Sequence, residues 1–74
     1  MVPSDHELLQ MLAPMEREAV RSVAMGLSEK EAAKVRGVSP STVKNQRNKA
    51  MVKLGLHDIA SVTRFAIRVG LIQA

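Results

Sequence analysis

Gly37, Val38 and Ser39 are all the chain has between the end of one helix and the start of the next. Upstream, "SEKE" at Ser28–Glu31 is a capping box: the serine oxygen accepts from the amide three residues on, and the glutamate reaches back. Downstream, Ser39 suits an N-cap, and Pro40 suits the first helical position, where a missing N–H costs nothing. Gly37 suits the left-handed residue that closes a helix. A short helix through Arg36 and a longer one from Pro40 to about Leu54 must therefore meet across a tight turn. That is the helix-turn-helix arrangement, whose second helix can enter the DNA major groove.

The same signals place the other helices. "SDHE" at Ser4–Glu7 is another capping box and allows a short helix over Asp5–Leu12, too short to stand without docking. Pro14 opens a helix that Gly26 stops, although Ala13 cannot cap it with its side chain. Val20, Val23, Ala24 and Leu27 form its apolar stripe, and Ala32, Ala33 and Val35 are the expected buried side of the following short helix. A last helix begins at His57 or Asp58 and runs through Val69 to Gly70. The apolar content is Ala, Val, Leu, Ile and Met, with Phe65 the single aromatic. Alternating strand formers are scarce, so the chain is expected to be all-α.

Charge is segregated along the chain. Residues 1–31 carry net −3, residues 32–57 net +6 and residues 58–74 net +1. The middle block holds Lys34, Arg36, Lys44, Arg47, Lys49 and Lys53 and no acid. A solvated surface usually mixes signs, and a block of one sign suits a polyanion. On a helical wheel at about 100° per residue, Ala50 and Leu54 fall within about 20° of Val43, so these three share a buried stripe. Ser41, Asn45, Asn48 and Val52 fall opposite, between about 140° and 200° from Val43, with Lys44 and Lys49 on the flanks. Amides can read an adenine edge, lysine can donate to guanine O6 and N7, and hydroxyls and cations near a helix start suit phosphates. Arg47 lies beside the core stripe, where its stem can snorkel and its guanidinium reach a phosphate.

Residues 12–72, "LAPMEREAVRSVAMGLSEKEAAKVRGVSPSTVKNQRNKAMVKLGL…GLI", resemble the LuxR-type (LuxR/GerE/NarL-like) DNA-binding domain. Leu12, Pro14, Glu16, Glu18, Gly26, Ser28, Lys30, Glu31, Ala33, Ser39, Thr42, Val43, Lys44, Lys53, Leu54, Gly55 and Gly70–Ile72 match its pattern, and "NKAMVKLGL" looks most like the quorum-sensing branch. The resemblance implies a four-helix LuxR-type helix-turn-helix bundle over 12–74, with 1–11 an N-terminal extension bearing the short extra helix. It implies a transcriptional regulator acting on roughly palindromic double-stranded DNA. Lys44, Asn45 and Asn48 match base contacts, and Ser41, Thr42, Gln46, Arg47 and Lys49 match backbone or mixed contacts. It also implies a homodimer through the last helix. Ala60, Thr63 and Ile67 form a second stripe there, apart from Ile59, Val62, Phe65, Ala66 and Val69, which are expected to face the core. The chain departs from the pattern at Ala13 (usually threonine), Met15 (arginine), Ala32 (isoleucine), Arg36 (leucine) and Gln46 (often histidine). Val35 is expected to take the buried role that Arg36 leaves. Read as a complete stand-alone member without a sensor, the protein would be controlled by its amount, a partner or its oligomeric state.

Other functions fit less well. No paired carboxylates, nucleophile elbow or phosphate loop suggests an enzyme, and no cofactor is expected. There is no cysteine, which suits a reducing compartment, and His6 and His57 lack companions at metal-ligand spacing. No segment has the length of a membrane span or the character of a secretory signal, so a cytoplasmic protein is expected. Two rivals stand. One is a protein-interaction module that pairs with full-length LuxR-type regulators, or contacts RNA polymerase. The other is region 4 of a sigma factor, against which the helix after "KLGL" and the "GLI" ending argue.

Overall fold

Among the described residues the computed structural model holds five helices, each starting within two residues of its expected position: α1 (Asp5–Met11), α2 (Pro14–Ala24), α3 (Glu29–Arg36), α4 (Pro40–Leu54) and α5 (Ile59–Arg68). Residues 2–73 are described, and no strand occurs among them. Ser4 Oγ accepts from the Glu7 amide at 3.2 Å while Glu7 Oε1 accepts from the Ser4 amide at 3.1 Å. Ser28 and Glu31 repeat this at 3.1 and 2.9 Å. Ser39 Oγ accepts from the Thr42 amide, and Asp58 Oδ2 from the Ser61 amide. Only α2 has no side-chain cap. Glu16 supplies the reciprocal half alone, its Oε1 accepting from the Ala13 amide at 2.8 Å. Gly37 closes α3 at φ 70°, and the Val38 amide donates back to the Ala33 carbonyl.

α2 packs on α4 and α5, and α3 packs on α4. The main core joins Leu12, Val20, Ala50, Leu54, Val62, Phe65 and Ala66. Leu8 and Leu9 of α1 dock against it, as the short helix requires. A second, smaller cluster of Ala32, Ala33 and Val43, edged by Leu27 and Val38, fastens α3 to α4. The expected stripe of α4 is the observed one, with Val43, Ala50 and Leu54 its buried residues.

Two core assignments are corrected. Val35 does not take the buried role; it is 77% exposed. On the wheel Arg36 lies between Ala32 and Ala33, whereas Val35 is about 100° away from it. Arg36 is half-buried instead, with Nη2 donating to Met15 Sδ at 3.6 Å. Two departures from the LuxR-type pattern, Met15 and Arg36, therefore touch each other. Ile59 does not face the core either; it is 65% exposed at the first position of α5, while Val62, Phe65 and Ala66 are fully buried.

Lys53 ties three segments together. Its Nζ donates to Glu16 Oε1 of α2 at 2.7 Å and to the Met11 carbonyl that ends α1 at 3.2 Å. Hydrogen bonds from Lys53 and from the Ala13 amide hold the buried Glu16 carboxyl below the usual glutamate range, against the opposing effect of burial. At the surface, Arg68 Nε pairs with Asp5 Oδ2 at 2.7 Å, joining α5 to α1.

Candidate nucleic-acid interface

α3 and α4 are set by the small apolar cluster and by one ion pair. Arg47 Nη1 lies 2.7 Å from Glu29 Oε1, at the first turn of α3, with both side chains half-buried. The Glu29 carboxylate thus holds the guanidinium that the wheel left free to seek a phosphate. Sequence spacing gave no sign of this pairing, because the partners are brought together only by the turn and the packing of α3 on α4. Lys53, also counted in the basic block, is likewise engaged, with Glu16.

What remains on the outer face of α4 is Ser41, Lys44, Asn45, Asn48 and Lys49, all exposed. Among the described residues, neither Lys44 nor Lys49 forms an ion pair. Ser39, Ser41 and Thr42 form a hydroxyl cluster at the helix start, with Ser39 Oγ 3.1 Å from Ser41 Oγ and 2.8 Å from Thr42 Oγ1. The N-terminal amides of α4 open beside them, a setting that favours anions. Thr42 and Gln46 are half-buried. The Gln46 Oε1 atom is buried without a hydrogen-bond partner, so its amide is turned partly inward. Val52 stands on the same outer face as the asparagines, as the wheel places it, and is exposed.

On α5, Ala60 and Ile67 are exposed and Thr63 is half-buried, so the second stripe points away from the core. An open groove beside the interface is lined by Leu27, Glu29, Arg47, Asn48, Met51 and His57. Among the described residues no group of three or more His, Cys, Asp or Glu side chains is placed to hold a metal ion, and no helix is long and apolar enough to cross a membrane.

The family model described as sigma-70, region 4 matches residues 6–54, from α1 through the last residue of α4. The chain belongs to the sigma-70 region 4 family. The LuxR-type helix-turn-helix recognised in the sequence stands beside this assignment, since both rest on the same α3–turn–α4 unit. The helix after "KLGL" does not exclude sigma region 4, because the family match ends where α4 ends and says nothing of α5. Among relatives, the transcriptional regulatory protein TdiR of Thauera aromatica is 37% identical over 62 residues, 84% of this chain and 27% of that protein. The transcriptional regulatory protein FixJ of Bradyrhizobium diazoefficiens is 31% identical over 62 residues, 84% of this chain and 30% of that protein. The chain thus spans less than a third of either relative. No solved structure matches it significantly. Family and relatives alike support a DNA-binding domain of transcriptional regulation, and neither points to an enzyme.

Proposed function

We propose that the domain binds duplex DNA sequence-specifically, with α4 in the major groove, and so regulates transcription. The observation that carries this reading is the outer face of α4, where Lys44, Asn45, Asn48 and Lys49 are exposed on a helix with no acidic residue. Lys44, Asn45 and Asn48 contact base edges. Ser41, Thr42, Lys49 and the helix start contact the backbone, with Gln46 and Arg47 at the margin. Two copies pair through Ala60, Thr63 and Ile67 of α5 and occupy a roughly palindromic site. The outward placement of that stripe supports the pairing.

Selection of bound sites from a random duplex pool tests this. Asn45→Ala and Asn48→Ala change which sequence is preferred, each at a cost of about 1–3 kcal/mol on the original site, whereas Lys49→Ala weakens binding to all sequences alike. Equal losses on every sequence from the asparagine changes would remove base reading by this face. The family match favours a second reading, a promoter binder that acts as a single copy. It would enrich one half-site rather than a palindrome. A 62-residue match within a 74-residue chain must include residues 13–62, and so reaches into α5. That reach favours the regulator.

A further inference from the structure

We propose that Val52 is a specificity-determining residue that packs against the 5-methyl group of a thymine in the major groove. The inference rests on the reading of α4 as the DNA-contacting helix. Among the described residues, Val52 is the one large apolar side chain exposed on α4, at 79%. Single exposed hydrophobes are common and need no function. Position distinguishes this one. Val35 and Ile59, also exposed, lie on α3 and α5, whereas Val52 shares the face of Asn45 and Asn48, one turn beyond Asn48.

A β-branched residue at this site adds nothing to the core and lowers helix propensity slightly. It sits in a shallow apolar depression between Asn48, Lys49 and Lys53. Lys53 is held by Glu16, leaving Lys49 as the flanking cation. With a rise of 1.5 Å per residue, Val52 is about 6 Å along the axis from Asn48 and about 10 Å from Asn45. These distances are roughly two and three base-pair steps of 3.4 Å. A 15-residue helix lying along the groove therefore brings Val52 over a base pair that the asparagines do not reach. The thymine methyl is the apolar group the major groove offers there, and it distinguishes thymine from the other bases.

The test uses the full chain and the duplex it selects. Each thymine is replaced in turn by deoxyuridine, which removes the methyl and keeps every hydrogen-bonding group. One replacement is expected to weaken binding about threefold to fivefold, the value of one buried methyl. Val52→Ala is expected to lower affinity for the thymine duplex by a similar factor and to bring the thymine-to-uracil ratio at that position to about one. Circular dichroism should be unchanged and thermal unfolding unchanged or slightly raised, because the side chain is exposed and alanine is the better helix former. If the wild-type chain and Val52→Ala show the same uracil sensitivity at every position, or if Val52→Ala leaves affinity unaltered, the assignment to Val52 falls while sequence-specific binding by α4 survives. If the chain enriches no sequence at all, both fall together.

Discussion

At Arg36 one side chain fills a place normally given to an aliphatic one. It projects between Ala32 and Ala33 on the helical wheel, and its guanidinium donates to Met15 sulfur, with Nη1 buried and unpartnered. Glu16 is the opposite case, a buried carboxylate whose hydrogen bonds are satisfied by Lys53 and the Ala13 amide. Because its folded pKa lies below the unfolded one, Glu16 stabilises the fold in full above the unfolded value, and the contribution is lost as pH falls through the folded value. Asp5, Glu7, Glu31 and Asp58 are lowered in the same direction, Asp5 chiefly by Arg68 and the others by cap hydrogen bonds. Thermal stability should therefore be flat near neutrality and fall steeply below about pH 4. Glu16→Gln should cost about 1 kcal/mol at pH 7, or about 4–8 °C in Tm, and should make the acid decline shallower. An unchanged decline would show that Glu16 has no part in it. Neither Arg36 nor Glu16 was legible from spacing. A long stem can lie on a buried face despite its charge, and a buried carboxylate is recognisable only when its distant lysine is known.

Among the elements, helix boundaries were the most readable part of the chain. Serine caps, proline at the first position and glycine after the last act within a few residues, so they need no tertiary information. The buried stripe of α4 was equally readable, because fifteen residues offer enough turns for one face to declare itself. The eight residues of α3 do not, and Val35 was misplaced there. In α5 the period was right for Val62, Phe65 and Ala66, but Ile59 sits at the helix start, where the stripe runs off the core. Gly37 ends α3 in the left-handed region. A Cβ there would meet nothing within 4 Å, so replacement costs only the left-handed backbone. Gly37→Ala should lower stability by about 1–2 kcal/mol, and Gly37→Asn by less. Urea denaturation would read this as a lower midpoint with an unchanged slope. Equal losses from alanine and asparagine would mean that the strain lies elsewhere.

Across the whole molecule, the net charge of the middle block overstates what faces outward. Of its six cations, Arg47 and Lys53 are paired with Glu29 and Glu16, and Arg36 turns to Met15. Lys34, Lys44 and Lys49 remain exposed. If each displaces one counterion from the DNA, whether it ends at a base edge or a phosphate, log affinity should fall with log salt at a slope of about −3 per copy, where the full block would give about −5. A titration near the steeper value would mean that the two internal pairs open on DNA and that Arg36 leaves Met15. The acids responsible lie in the N-terminal part of the chain, so folding cancels charge that the linear sequence keeps apart. The smaller core carries a separate consequence. α3 is fastened by a cluster whose buried members are two alanines and a valine, while the rest of the molecule shares Phe65, Val20, Val62 and Leu54. Regions with few buried apolar contacts open at lower free energy than the body that carries them. α3 should therefore exchange its amide hydrogens sooner than α2 or α5. A ligand that bridges α3 and α4 would slow that exchange, and the entropy of quieting α3 would be subtracted from its affinity.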